Sequence, residues 1–185
     1  MNGYIGVRGR SSSENKASTF RIYNNTIDGG RNGNCAMGLG EIGDETITVQ
    51  NNMITGVDYA AYVNTGVSLT ADHNFYYDIS IMPEFFWASE TNEGVYTYKT
   101  LTDWHNLGRD LAVNNTTTDP KLNSDYTLQP NSPAKDAGVS LSSYFATDKN
   151  GISRPQGSGW DIGAYEYVEG GDRMPPAAPS GLTVN

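Results

Sequence analysis

The stretch IYNNTI at residues 22–27 returns as VQNNMI at residues 49–54 and, more weakly, as ADHNFY at residues 71–76. In each copy a short apolar strand runs into a polar pair and then into a second short strand. The second polar residue is always an asparagine, and the intervals between these asparagines are 27 and 22 residues. A strand-based repeat of roughly 20–50 residues is typical of a solenoid. We therefore predict an all-β chain of stacked coils, a parallel β-helix.

Asparagine at such a corner has a physical reason. Its short side chain tolerates left-handed backbone angles, and its amide group both donates and accepts hydrogen bonds. Stacked coils would place Asn25, Asn52 and Asn74 above one another as an asparagine ladder, which is a structural role. Asn24 and Asn51, one residue earlier, are predicted to face outward.

Charge and cysteine content exclude several classes of function. A formal charge of −9 repels nucleic-acid phosphates, so no nucleic-acid partner is predicted. With the single cysteine Cys35 the chain can form no internal disulfide and no thiol-based zinc site. No run approaches the roughly 20 apolar residues of a membrane span. Residues 4–7 are typical of a strand and not of a signal peptide, so we expect the chain to begin inside a larger protein.

The repeat pattern ends near residue 78. We predict β-helix coils at residues 1–78, a cap and tail at residues 79–167, and a Gly/Pro-rich linker at residues 168–185 whose end resembles the first strand of a fibronectin type III module. Thr100 or Thr102 can begin a short helix that ends at Gly108. That helix would cover the apolar end of the solenoid.

The most specific motifs in the chain lie between residues 119 and 166. They are DPKL at 119–122, DYTL at 125–128, SPAKDAG at 132–138, DKNG at 148–151 and WDIGAYE at 160–166. Together with the asparagine corners, they resemble the C-terminal part of secreted bacterial right-handed parallel β-helix proteins, over about residues 97–167. Lys135 departs from that pattern, which usually has an aliphatic residue at this position.

We predict that these tail motifs are structural and not catalytic. A left-handed corner would end a strand at DAG, an arginine forked between carboxylates would pin the tail, and a tyrosine would pack on the last coil. The residues concerned are Asp136, Gly138, Asp148, Arg154, Asp161 and Tyr165.

The resemblance implies a secreted or cell-surface bacterial protein that binds or degrades polysaccharide. Lyases of this fold often use a basic residue as the base and calcium to neutralise a uronate. Calcium therefore remains an alternative cofactor, although no metal ligands are predicted. Basic residues gather in the first coils, and the catalytic candidates are Arg8, Arg10, Arg21 and Arg31. Sugar rings stack on aromatic faces, which makes Tyr23, Tyr59 and Tyr62 candidates for substrate binding.

Three hypotheses for function stay open. In the first, this stretch is the mainly structural and catalytically incomplete part of a polysaccharide-binding or polysaccharide-degrading parent. In the second, the solenoid is a spacer in an adhesin-like surface stalk without catalysis. In the third, the chain self-associates through the solenoid edge or the tail. Neither His73, at the asparagine corner, nor His105, on the expected helix, has a motif of nucleophilic catalysis around it.

Overall fold

The computed structural model describes residues 5–7, 18–29, 35–40, 45–63, 67–80, 86–89, 96–110 and 118–170, with backbone alone for 5–7, 86–89 and 96–99. The predicted linker at 168–185 lies almost wholly outside these ranges. The described elements are β1 (Ile5–Val7), β2 (Thr19–Tyr23), β3 (Thr26–Asp28), β4 (Cys35–Leu39), β5 (Thr46–Gln50), β6 (Met53–Thr55), β7 (Tyr59–Val63), β8 (Ser68–Asp72), β9 (Phe75–Tyr77), β10 (Phe86–Ser89), β11 (Tyr96–Lys99) and α1 (Leu101–Asn106).

Strands β1 to β9 enter three sheets in rotation. Sheet A has the order β1-β4-β7-β10-β11, sheet B the order β2-β5-β8 and sheet C the order β3-β6-β9. Neighbouring strands pair in parallel, except for the antiparallel pair β10–β11. The prediction of an all-β chain is confirmed, since the described residues form parallel sheets with almost no helix.

The sequence repeats stack residue on residue. In sheet B, Ile22 pairs with Val49 and Val49 with Ala71, and in sheet C, Met53 pairs with Phe75. Two residues separate sheets B and C at every corner. The shorter second interval is therefore absorbed in the connections before and after the sheet A strands, and the asparagine corners stay aligned.

The main core lies between the three sheets. In β5 the inward Ile47 and Val49 are buried, and the residues between and beside them face outward. The same core takes in Tyr76 from sheet C and Trp104 from α1. Alternation along the sheet B strands thus produces one apolar and one polar face.

Helix α1 begins with a capping box. Thr100 Oγ1 accepts a hydrogen bond from Asp103 N at 3.1 Å, and Asp103 Oδ2 accepts one from Thr100 N at 2.9 Å. These bonds satisfy two of the N–H groups that a helix start leaves unpaired. The helix ends before Gly108, which has a left-handed backbone. No helix in the described ranges has the length and apolar character that a membrane span requires.

The tail, residues 118–170, covers the outer face of sheet C. Met53 and Phe75 point away from the main core and are buried in a second cluster with Leu128, Ala134 and Ile162. Their sequence neighbours in β6 and β9 belong to the main core. Both faces of sheet C are therefore buried, and the tail lies along the side of the stack.

We expect Asn52→Ala to lower the free energy of unfolding by about 3 kcal/mol, because buried donors and acceptors of neighbouring coils would lose their partners. Urea denaturation followed by circular dichroism measures this change. Gln50→Ala, at an outward side chain two residues away, is the control and should change stability by less than about 0.5 kcal/mol. Equal effects of the two substitutions would contradict a special role for Asn52.

Candidate functional site

The asparagine corners form a continuous column of hydrogen bonds. Asn25 N and Nδ2 donate to Asn52 Oδ1 at 3.0 and 2.9 Å. Asn52 N and Nδ2 donate to Asn74 Oδ1 at 3.0 and 2.9 Å. The amides of Asn52 and Asn74 also donate to the carbonyl oxygens of Ile22 and Val49 in the preceding coils, both at 2.8 Å. The column therefore holds each corner to its neighbours and does no chemistry of its own.

Asp110 ends this column, a role that the sequence did not predict. Its Oδ1 accepts from Asn74 N and Nδ2 at 2.9 and 2.8 Å. Its Oδ2 accepts from Tyr76 OH at 2.7 Å and from Trp104 Nε1 at 2.8 Å. Burial raises the pKa of Asp110, and the donors from Trp104, Asn74 and Tyr76 oppose this rise. Because an ionised carboxylate accepts every bond and donates none, it can only be a last rung.

Asn24 and Asn51, which we predicted to face outward, turn away from the column and are covered by the tail. Asn51 is 0% exposed and Asn24 is half-buried. Together with His73 they have left-handed backbones, with φ of 56°, 49° and 54°. Asn24 Nδ2 donates to Gly163 O at 3.0 Å, and Asn51 exchanges hydrogen bonds of 2.7 and 2.9 Å with the backbone of Val139. These outer asparagines hold the tail.

The buried arginine of the tail has one carboxylate partner, Glu166. Arg154 Nη1 lies 2.6 Å from Glu166 Oε1, and Nη2 donates to Gly163 O at 2.9 Å. We predicted that an arginine would fork between carboxylates, with Asp148 and Asp161 as the nearby acids. Instead, Arg154 contacts Asp161 through the backbone oxygen of that residue alone, to which Nη1 donates at 3.0 Å. The Asp148 carboxylate contacts Glu166, whose backbone N donates to Asp148 Oδ2 at 3.0 Å. Glu166 is thus a member of the network that sequence reasoning missed.

Asp161 uses its carboxylate to hold two backbone segments of the tail. Oδ1 accepts from Asp136 N at 2.7 Å and Oδ2 from Tyr167 N at 2.5 Å. Burial raises the pKa of Asp161 to about 6; these two hydrogen bonds oppose the rise, and the charges of Glu166 and Asp136 add to it. The folded tail therefore binds a proton at Asp161 more tightly than the unfolded chain does.

The remaining predicted tail residues lie at close backbone contacts. Asp136 has a left-handed φ of 57°, and its Oδ1 accepts from Gly159 N at 2.9 Å. A Cβ at Gly138 would lie 2.9 Å from Trp160 O, so only glycine fits there. Tyr165 is half-buried, and its hydroxyl accepts a hydrogen bond from Lys149 Nζ at 3.0 Å, within the tail itself.

One cluster of aromatic and basic side chains lies on the surface, where tail and sheet B meet. Arg21 and Tyr23 point outward from β2. Tyr144 of the tail contacts both: Arg21 Cζ lies over the Tyr144 ring, 5.3 Å from its centroid, and the Tyr23 ring centroid is 5.2 Å away, with the two rings tilted by 53°. Tyr144 is 55% exposed. Arg21 and Tyr23 were predicted as site residues from the sequence, whereas Tyr144 was not.

The outer face of sheet B extends from this cluster as a polar surface. Strand pairing places the outward residues in three rows, which are Thr19-Thr46-Ser68, Arg21-Thr48-Thr70 and Tyr23-Gln50-Asp72. Adjacent strands are about 4.8 Å apart and alternate residues about 6.6 Å apart. We call this face, together with Tyr144, the polar platform. It offers hydroxyl, amide, carboxylate and guanidinium groups beside two aromatic rings.

The other predicted site residues are not part of the polar platform. Tyr59 and Tyr62 are half-buried in β7 of sheet A. Arg8, Arg10 and Arg31 lie outside the described residues. His73 Nδ1 lies 2.9 Å from Asp72 Oδ2, and His105 is on α1.

No family model matches the chain, and no curated protein or solved structure is similar to it at a significant level. Within the described part of the chain, no three His, Cys, Asp or Glu side chains are grouped as a metal site would require. The polar platform is therefore the candidate site, on the grounds of its residues and their geometry.

We expect acid to strengthen the docking of the tail through Asp161. Because its folded pKa of about 6 exceeds its ordinary value of 3.8, the folded state gains stability as pH falls through 6 and loses it as pH rises. Relative to Asp161→Asn, which stays neutral, the wild type should gain about 2 kcal/mol between pH 7.5 and pH 4.5. Denaturant unfolding of both proteins at the two pH values measures this difference. A difference that does not change with pH, or one of opposite sign, would contradict the assignment.

Proposed function

We propose that this chain is the C-terminal portion of a right-handed parallel β-helix protein that bacteria secrete or display on their surface. The rotation of β1 to β9 through three parallel sheets and the column of buried asparagines support a closed solenoid. The motifs between residues 119 and 166 support the family. The parent protein binds or degrades polysaccharide, and this portion contributes structure and a binding surface.

The binding proposal rests on the exposed Tyr144 ring, which makes a cation–π contact with Arg21 and lies beside the tilted ring of Tyr23. An exposed aromatic ring offers an apolar face to the C–H side of a sugar. Next to it, the threonine, glutamine and aspartate rows of the polar platform can pair with sugar hydroxyls. Among the described residues no carboxylate pairs with the Arg21 guanidinium, which leaves its donors for an acceptor on the ligand.

The same geometry favours binding over cleavage. General acid–base catalysis needs titratable groups within hydrogen-bond reach of the reacting atoms. The one described carboxylate on the polar platform, Asp72, lies two strands from Tyr23 in the same row, about 10 Å away. This portion therefore has a recognition role, and any catalysis belongs to other parts of the parent.

A structural stalk is the second candidate, and one observation favours it. The buried titratable side chains of the last rung and the tail are all held in networks that fix the fold; they are Asp110, Asp148, Arg154, Asp161 and Glu166. None of their hydrogen bonds points toward the polar platform. A spacer without ligands would have the same interior and would not need the Arg21–Tyr144 contact.

We expect Tyr144→Ala to weaken polysaccharide binding about tenfold, because one stacking contact is worth about 1.4 kcal/mol. Arg21→Gln should weaken binding to a uronate polymer more than binding to a neutral glucan. Affinity electrophoresis in gels that contain each polymer, with and without calcium, measures both effects.

Tyr126→Ala is the matched control for this experiment. Tyr126 is a tail tyrosine that is 43% exposed, and its hydroxyl donates to Asp28 Oδ2 at 2.8 Å, away from the polar platform. Its loss should leave binding unchanged. If no polymer retards the wild-type chain, the stalk is favoured. New reducing or unsaturated ends would show that this portion is catalytic and would contradict its proposed role.

A further inference from the structure

Tyr23 and Tyr144 bring two phenol rings together where the tail meets sheet B. Their ring centroids are 5.2 Å apart and the rings are tilted by 53°. At this distance the nearest carbon atoms of the two rings are in van der Waals contact, about 3.5–4.0 Å apart. The pair therefore joins two segments that are far apart in the chain.

The hydroxyl ends of the two rings also meet. Burial raises the pKa of the Tyr23 hydroxyl, and the Tyr144 hydroxyl, which is in hydrogen-bonding contact with it, raises this pKa further. The charge of Arg21 and a hydrogen bond with Thr48 oppose the rise. When a phenol loses one electron, much of the radical density lies on the two Cε carbons beside the carbon that bears the hydroxyl. Contact at the hydroxyl ends therefore brings reactive carbons of both rings close to each other.

The tail segment that carries Tyr144 is held on both sides. Val139 exchanges hydrogen bonds with the buried Asn51, and the Phe145 ring packs edge-on against Trp160, with the two centroids 5.2 Å apart. Tyr144 itself is 55% exposed, and its partner ring is half-buried. An oxidant in solution can therefore reach Tyr144 while the second ring is already in place.

We propose that Tyr23 and Tyr144 form an oxidative cross-linking site, at which a one-electron oxidant of the peroxidase class, with hydrogen peroxide as its co-substrate, joins the two rings as dityrosine. Each phenol loses one electron and its O–H proton, and the two radicals couple through a Cε–Cε bond. The hydrogen on each coupled carbon then moves to the phenolic oxygen, which restores both aromatic rings. The two electrons and two protons that are released reduce one hydrogen peroxide to two waters.

The folded structure favours this coupling over coupling between molecules, because two reactants that are held in contact react as one unit. The product would tie the tail to sheet B by a covalent bond. Disulfides do this in many extracellular proteins, but a chain with the single cysteine Cys35 can form no internal disulfide. The cross-link would therefore stabilise the docked tail and fix the Tyr144 ring on the polar platform.

The test is oxidation of the full chain by a haem peroxidase and hydrogen peroxide at low protein concentration. The monomer is isolated by gel filtration and digested with trypsin. The tryptic peptides 22–31 and 136–149 each contain one tyrosine, so a product two hydrogen atoms lighter than their sum identifies the Tyr23–Tyr144 bond. We expect this product, together with dityrosine fluorescence, in the native monomer. The cross-linked monomer should also unfold at a higher urea concentration than the untreated chain.

Two variants and one condition separate the cross-link from general oxidation. Tyr144→Phe keeps the ring and removes the phenol, so the same treatment should no longer raise its urea midpoint. Tyr126→Phe is the matched control, since Tyr126 is 43% exposed and its hydroxyl donates to Asp28; it should give as much joined peptide as the wild type. Oxidation of the wild type in denaturing urea should lower the yield of joined peptide at least about tenfold, because the two rings are then no longer held together.

Three results would overturn the proposal. The first is no joined peptide from the native monomer, although N-acetyltyrosine dimerises in a parallel reaction. The second is joined peptide in covalent dimers alone, which would make the coupling intermolecular. The third is an equal yield from the native and the urea-unfolded chain.

Discussion

The rest of the structure depends on one interaction, the amide-to-amide hydrogen bond between stacked corners. Parallel strands give the three sheets their backbone bonds, but a corner between sheets would leave polar backbone groups buried without partners. Asn52 and Asn74 satisfy these groups with side chains that are themselves fully buried. The corner must therefore keep a fixed length of two residues, while the connections on either side of sheet A vary.

The same corners also bind the tail, and the tail in turn connects the asparagine column with the candidate site. The second asparagine of a pair turns inward to the column, and the first, with its left-handed backbone, turns outward to tail residues such as Val139 and Gly163. The tail then fills the outer face of sheet C with Ile162 and its neighbours. This docking places Tyr144 of the tail next to Arg21 and Tyr23 on sheet B.

Features that repeat along the chain could be predicted from the sequence, whereas contacts between residues far apart in the chain could not. Asn25, Asn52 and Asn74 recur in one context, so their alignment could be foreseen. Asp110 follows Asn74 by 36 residues, after the antiparallel β10–β11 pair, and it is not an asparagine. The burial of Asn24 depends on a residue 139 positions further on. Glu166 and Tyr144 were missed for the same reason, because no local pattern marks a contact that exists only after the tail has docked.

Hydrogen exchange at the asparagine side chains tests the central claim most directly. The Nδ2 protons of Asn52 and Asn74 can be followed individually by ¹⁵N NMR after transfer to D₂O, with the exposed Asn106 and Asn131 as references. If the column organises the fold, the buried amides exchange only when the chain unfolds globally, as slowly as the most protected backbone amides. Exchange of Asn52 and Asn74 as fast as that of the exposed references would contradict it.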